Sequence, residues 1–303
     1  MTQKARIGVL GAGLMGHGIA QVFALAGHEV RIYDPVPAAL ETVRARIAGN
    51  LRDLDEDEGA AQRVVPASTI AEAVGDADFV VEAALENLGV KQALFAEVER
   101  HAPAQAILAS NTSVIPITQI MQNIADGART VGTHWWNPPF LVPLVEVIGT
   151  DRTSQATIDA TMALHESIGK TPVHVKKDVP GFVGNRLQHA LWREAISLVE
   201  NGICDARTVD TVIKASFGRR LAVLGPLENA DLVGTDLTLA IHNTVLPSIE
   251  SRPGPSPYLE GLVASGKLGM KSGEGFRTWT ADEQAELRQK VVQHLKKARK
   301  DDA

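Results

Sequence analysis

The stretch ARIGVLGAGLMGHG, residues 5–18, decides how the rest of the chain is read. An apolar run ending at Leu10 meets Gly11-Ala12-Gly13-Leu14-Met15-Gly16, and IAQVFALAG continues from it with helical spacing. A second apolar run over residues 29–33 stops at Asp34. Strand, glycine turn, helix, strand and acid in this order form the dinucleotide-binding βαβ fingerprint. Gly11 permits the tight turn, Gly13 lets the backbone approach a pyrophosphate, and Gly16 lets helix and strand pack closely. The helix entrance, with Leu14 and Met15, offers free N–H groups and the positive end of a helix dipole to phosphates. Asp34 is suited to accept both hydroxyls of an adenosine ribose and to repel a 2′-phosphate, so the expected cofactor is NAD rather than NADP. The alternative for Asp34 is a helix cap or a solvated turn acid.

With 303 residues the chain accommodates two domains. Its hydrophobic share of 45% and charged share of 22% are those of an ordinary globular protein. A net charge of −6 gives no electrostatic case for a nucleic acid or an anionic membrane as partner. Cys204 is the one cysteine, which excludes an internal disulfide, and no cysteine–histidine spacing reads as a metal site. The first strand begins within a few residues of Met1, leaving no room for a signal peptide, and no apolar run approaches the roughly 18 residues of a membrane span. The expected location is the cytoplasm.

Past Asp34, PAALETVRARIAGNLRDL, residues 37–54, reads as one helix, with Leu40, Val43, Ile47 and Leu51 along a stripe. The acidic DLDEDEGAA of residues 53–61 reads as a solvated connection. Helices are expected at 68–74, 90–101, 116–121 and 154–168, and strands at 78–82, 106–109, 129–135, 144–148 and 171–175. This alternation predicts an α/β fold: a Rossmann-type, doubly wound, mainly parallel sheet covered on both faces. Beyond KKDVPGF, residues 176–182, the patterns turn almost wholly helical, at 181–202, 206–216, 232–249 and 257–265. From Ala281 an amphipathic stretch ends in the basic KKARKDD, expected to be a fraying surface tail. The domains are thus expected at 1–180, binding NAD, and 181–303, helical.

Ligands in open α/β sheets bind beyond the carboxyl ends of the strands, and three polar clusters stand at such ends. They are Ser110-Asn111-Thr112-Ser113, His134 with Asn137 shortly after it, and Glu146 inside LVPLVEVI. An ionised Glu146 between Val145 and Val147 needs a partner, because burying it unpaired costs several kcal/mol. If the chain folds back through Asn137-Pro138-Pro139, that partner is His134. The carboxylate would then orient the imidazole and stabilise its cation, as a base for alcohol oxidation requires. The competing readings are a structural histidine, an edge-strand glutamate and an ordinary capped turn.

These residues resemble the L-3-hydroxyacyl-CoA dehydrogenase family. The resemblance is carried by GAGLMG, VVEAALENLGVKQALF, ASNTSVIPI, GTHWWNPPFLVPLVEVI, KKDVPGFVGNR, Gly225-Pro226 and KLGMKSGEGF, in family order from about residue 5 to 277. It implies a Rossmann domain followed by a helical domain that forms a homodimer and closes over the substrate. It implies His134 as general base with Glu146 as its partner, and Ser113 and Asn185 as hydrogen-bond partners of the reacting oxygens. Asn185 stands about one residue further on than in the family, as after a small insertion. Glu86, Lys91 and Asn137 match positions that contact the nicotinamide-ribose end of NAD, and Asn111 is placed with the cofactor as well. The implied reaction is oxidation of an L-3-hydroxyacyl-CoA to the 3-oxoacyl-CoA, within fatty acid metabolism. A small-molecule substrate is the only partner implied besides the second subunit.

Two departures bear on the substrate. Members that take CoA thioesters carry a longer, basic helical arm after the second strand; here that region is LRDLDEDEGAAQR, short and acidic. HWWNPP also stands where CoA-specific members more often have HFFNP. Relatives acting on carnitine, gulonate or pyridine carboxylates show comparable replacements, so a free 3-hydroxy acid or related alcohol is the alternative substrate. A non-catalytic descendant that binds NAD or serves structurally is the remaining one.

Overall fold

A computed structural model describes residues 4–301. The chain forms two compact units, Met1–Arg186 with Val292–Ala303, and Leu187–Val291. In the first unit a sheet is built from β1 (Arg6–Leu10), β2 (Glu29–Tyr33), β3 (Val64–Pro66), β4 (Phe79–Glu82), β5 (Ile107–Ser110), β6 (Thr130–Trp135), β7 (Leu144–Ile148) and β8 (Thr171–Val175). Their spatial order is β3-β2-β1-β4-β5-β6-β7-β8. Every neighbouring pair is parallel except β6 and β7. The chain thus winds outward from β1 in both directions, and the crevice between β1 and β4 is the topological switch point where such sheets take ligands.

The strands belong in the middle of the sheet because both of their faces are apolar. Ile7 and Val9 of β1 join one core, with Phe23, Ile32, Ile47 and Leu51. Leu10 joins the core on the opposite face, with Val80, Phe95, Leu108 and Ile117. The covering helices are α1 (Leu14–Leu25), α2 (Pro37–Glu41), α3 (Val43–Asp53), α4 (Ile70–Val74), α5 (Leu88–His101), α6 (Ile117–Ile120) and α7 (Gln155–Ser167). Behind β6, Trp135, Phe23, Phe79 and His165 pack edge to face. His165 is wholly buried there, and burial lowers its pKa to about 4, so it sits in the core as a neutral ring. The doubly wound, mainly parallel sheet read from the sequence is the one observed.

Several local expectations are corrected. Residues 37–54 hold two helices rather than one, since the chain turns at Thr42. The acidic connection contains a 3-10 turn, Glu58–Arg63, and leads into β3, a short edge strand whose few residues carry little periodic signal. The basic tail does not fray. It is the end of α13 (introduced below), and its Lys296 donates to the Asp53 carbonyl while Arg299 meets Glu56 at 2.6 Å and Lys300 lies 3.9 Å from Asp55. These ties are why residues from Val292 onward count with the first unit. By compactness the first unit also takes in the residues up to Arg186.

The remaining helices are α8 (Gly184–Glu200), α9 (Ala206–Ala215), α10 (Pro226–Val233), α11 (Thr235–Val245), α12 (Pro257–Ala264) and α13 (Ala281–Asp301). The helix expected over 232–249 is broken at Gly234, whose φ of 99° no helix can include. Residues 269–278 add two isolated β-bridges to this otherwise helical unit. Among the described residues no helix is long and apolar enough to cross a membrane.

Candidate active site

β6 and β7 bring the reactive pair together. In their antiparallel register His134 faces Glu146 directly, so both side chains leave the same side of the sheet. His134 Nδ1 lies 2.7 Å from Glu146 Oε2, and the two residues are 4% and 1% exposed. A carboxylate can only accept, so Nδ1 carries the proton and the Nε2 lone pair remains for another partner.

The other carboxylate oxygen of Glu146 is served by the backbone. Phe182 has a φ of 49°, a left-handed conformation that costs a non-glycine residue about 1–2 kcal/mol. It turns the chain so that the N–H groups of Val183 and Gly184 donate to Glu146 Oε1 at 2.9 and 3.0 Å. Glu146 therefore sits at the N-terminus of the long helix α8, where a negative charge is favoured. Burial works to raise its pKa, but the hydrogen bond from His134, the two amides and the His134 charge outweigh it and hold the carboxyl below 4.5.

The same turn is tied to the polar cluster after β5. Asp178 accepts the N–H groups of Ile117 and Thr118 at 3.0 and 2.6 Å, and Asn185 Nδ2 donates to the Ser113 carbonyl at 2.9 Å. Ser113 is exposed, and its hydroxyl has no hydrogen bond among the described residues. Asn111 holds the other side, accepting from the Trp135 amide at 2.9 Å. Ser113, Asn185, His134 and Glu146 are thus joined through one network of strand ends and one turn. Asn137, two residues past the end of β6, is exposed.

At the glycine turn, Gly11 has a φ of 105°, and a Cβ on Gly16 would lie 1.8 Å from the Gly11 carbonyl oxygen. Sterics within the protein dictate both glycines. Gly13 is different: a Cβ there would meet no protein atom within 4 Å. Its smallness serves something outside the fold, and together with an uncapped α1 N-terminus that is what a pyrophosphate needs. Leu14 is 66% exposed beside it and Met15 is half-buried. Asp34 accepts from the amides of Ala12 and Val36 at 2.7 and 2.8 Å, one on each oxygen. It is a turn acid bound to the glycine loop, and each oxygen keeps a lone pair for a ribose hydroxyl.

Lys91 is turned inward: its side chain has no exposed surface and bonds Glu82 at 2.7 Å and Glu86 at 3.3 Å. It acts on Glu86, which also accepts from the Thr112 hydroxyl and the amides of Ser113 and Val114 at 2.6, 2.8 and 3.1 Å. Against the opposing effect of burial, these partners hold the Glu86 carboxyl below its ordinary range. Glu82 itself, fully buried and also bonded by the Ser110 hydroxyl at 2.5 Å, received no role in the sequence reading. An acid closing an apolar strand, with a lysine nine residues on, was its available signal. Arg46 was missed as well. It ties α3 to the glycine turn by donating to the Ala12 carbonyl at 2.7 Å, and nothing local in the sequence announces that contact.

The match to known proteins covers both units. Residues 6–179 match the model of the 3-hydroxyacyl-CoA dehydrogenase NAD binding domain, and residues 181–279 that of the 3-hydroxyacyl-CoA dehydrogenase C-terminal domain. The chain belongs to the 3-hydroxyacyl-CoA dehydrogenase family. It is an NAD-dependent oxidoreductase. A 5-formyl-3-hydroxy-2-methylpyridine 4-carboxylate 5-dehydrogenase of Mesorhizobium japonicum is 36% identical over 94% of this chain and 96% of its own. The crystal structure of an enzyme of that description, an NAD+-dependent dismutase, superposes with a TM-score of 0.91 at 34% identity, covering 98% of both chains. The (S)-3-hydroxybutyryl-CoA dehydrogenase of Ralstonia eutropha superposes with a TM-score of 0.76 at 32% identity, covering 92% of this chain and all (100%) of that one.

One contact ties the second tryptophan of HWWNPP to this geometry. The Trp136 ring lies 5.2 Å from the His134 ring, and a Cβ on Gly184 would come within 2.4 Å of Trp136 Cζ2. Gly184→Val should therefore displace the indole, cost about 1–3 kcal/mol and lower turnover. Adding Trp136→Phe should restore part of both, measured by thermal melts and initial rates; a second change that deepens the loss would refute the contact. Glu146 gives a pH dependence. Its folded pKa lies below 4.5, so its stabilisation is present above that value and is lost as pH falls through the folded pKa. The melting-temperature gap between wild type and Glu146→Gln should be widest near about pH 7 and shrink on acidification to about pH 3.5. A gap that grows toward acid would contradict this placement.

Proposed function

We propose that this enzyme uses NAD to oxidise the hydroxyl of a small free carboxylate, such as a 3-hydroxy acid or a related alcohol, rather than that of a CoA thioester. The observation carrying this choice is the segment after α3. Where CoA-specific members of the family have a basic arm, Asp55 and Glu56 stand here, already engaged by Lys300 and Arg299 of α13. These pairings draw part of the local positive charge onto the chain's own acids, and the end of α13 occupies the flank. The closer superposition on the pyridine-carboxylate dehydrogenase supports the same reading, with TM-scores of 0.91 against 0.76. The acyl-CoA reading remains the second one, favoured by the description of the family models.

In the proposed reaction His134 Nε2 removes the alcohol proton, since Nδ1 is committed to Glu146. The imidazolium so formed lies beside an ionised carboxylate 2.7 Å away, which stabilises it and keeps the ring from turning. Ser113, with its hydroxyl free of protein partners, and Asn185, fixed through the Ser113 carbonyl, are positioned as donors to the oxygen that becomes a ketone. NAD, when bound, accepts the hydride from the same carbon. Gly11, Gly13, Gly16, Leu14, Met15 and Asp34 would hold its adenosine and pyrophosphate parts, with Glu86, Asn111 and Asn137 toward the nicotinamide.

The test is NADH formation across a panel of 3-hydroxybutyryl-CoA, free 3-hydroxybutyrate, carnitine, gulonate and hydroxymethyl pyridine carboxylates. Turnover confined to the free acids is expected, and efficient turnover of the CoA ester alone would overturn the choice. His134→Gln should bind NAD unchanged while losing about 10²–10⁴ in kcat on the same substrate. Retained turnover would remove His134 from the mechanism.

A homodimer through the second unit is also proposed. Leu227, Leu232 and Leu239 are 80%, 73% and 61% exposed in the single chain, more apolar surface than isolated helices of a monomer present. Light scattering should give twice the mass of 32.4 kDa; a monomer at micromolar concentration would refute it.

A further inference from the structure

A cavity of about 300 Å³ lies in the first unit, lined by Gln21, Leu25, Leu54, Phe140, Lys170 and Arg299 among others, with no carboxylate among its described lining residues. Two cations there are incompletely used. Lys170 Nζ donates to the carbonyls of Pro139 and Val142 and lies 5.1 Å from the centre of the Trp135 ring, which leaves one of its three N–H bonds without a protein acceptor. It forms no ion pair among the described residues. Arg299 gives one nitrogen to Glu56 and has further N–H groups to offer. A cavity that holds two incompletely paired cations and no lining carboxylate calls for an acceptor.

We propose that this cavity is a binding site for a small oxyanion, a phosphate, sulfate or carboxylate group, held by Lys170 and Arg299. The apolar walls from Leu25, Leu54 and Phe140 beside two cations suit a compact anion. Burial, and secondarily the charge of Arg299, lowers the Lys170 pKa to about 8, as expected of an ammonium that lacks a counter-charge. The site is separate from the glycine turn and from His134. It lies behind the loop of residues 137–143, whose carbonyls Lys170 holds, so an anion here braces the connection between the two strands of the catalytic pair.

Calorimetric titration with sodium sulfate, at constant ionic strength set by sodium chloride and with NAD saturating, tests the site while its pyrophosphate cradle is filled. Malonate in a parallel titration separates a carboxylate ligand from a tetrahedral one. Saturable 1:1 binding is expected with one of the two anions, about tenfold weaker in Arg299→Gln and in Lys170→Met, the size of one lost charge-assisted hydrogen bond. Should Lys170→Met fail to fold, Arg299→Gln carries the test. Absence of saturable binding, or equal affinity in wild type and Arg299→Gln, overturns the proposal.

Discussion

Glu146 is a carboxylate in the middle of a strand whose neighbours are all apolar, and the surrounding structure is organised so that neither of its oxygens is left alone. One oxygen takes the imidazole of His134 and the other takes two backbone amides at the start of α8. Removing either arrangement would leave a buried charge uncompensated, at a cost of about 3–5 kcal/mol. That requirement accounts for features that otherwise look unrelated. β7 runs antiparallel in a parallel sheet, because only a direct return from β6 sets Glu146 opposite His134. Phe182 accepts a strained backbone, because the left-handed turn is what aims both amides at one oxygen. The start of α8 belongs with the sheet for the same reason, and the first unit takes in the residues up to Arg186.

The parts of this arrangement that were legible in the sequence are those encoded locally. A glycine turn between two apolar runs states its geometry within about thirty residues, and the polar clusters reveal themselves by interrupting strands. Even the His134–Glu146 pair could be anticipated, since an acid inside an apolar strand demands a partner and the prolines between the strands suggest a return. Contacts between distant segments left no comparable trace. Arg46 reaching the Ala12 carbonyl, Lys91 turning inward to Glu82 and the tail meeting residues 53–56 are separated by 34, 9 and 243 positions respectively. Lys91 shows what a motif leaves out. Resemblance locates a position near the cofactor, but whether the side chain faces it depends on the helix phase and on a buried acid the motif does not include.

The tail also changes how the acidic segment is understood. Read alone, DLDEDE is a solvated stretch whose charge would repel an anionic substrate. In the folded chain Glu56 pairs with Arg299 and Asp55 lies near Lys300, while Lys296 holds the Asp53 carbonyl. On the proposed reading, what weighs against CoA there is occupancy as well as repulsion, since cations of the chain's own tail are drawn to its own acids. Exposed ion pairs of this kind contribute little stability individually, so their consequence lies in fixing where the end of α13 sits. With that end fixed, Arg299 is brought to the wall of the cavity that Lys170 and Gln21 share.

The loop from Asn137 to Pro143 joins the halves of the catalytic pair, and its anchoring links that pair to the cofactor helix. On one side Pro139 packs against α1 at Gly18, where a Cβ would come within 2.6 Å of its ring. On the other side Lys170 binds two of its carbonyls. α1 thus presents its N-terminus to the pyrophosphate site and its flank to the loop that follows His134. On the proposed mechanism, the hydride acceptor and the base are consequently referenced to one helix rather than to separate loops. Trp136 and Gly184 close the same circuit from the opposite direction, since the indole lies against both His134 and the start of α8. The positional precision that general-base catalysis by His134 would require is therefore supplied by packing around its ring on several sides, and the proposed chemistry is only as good as those supports.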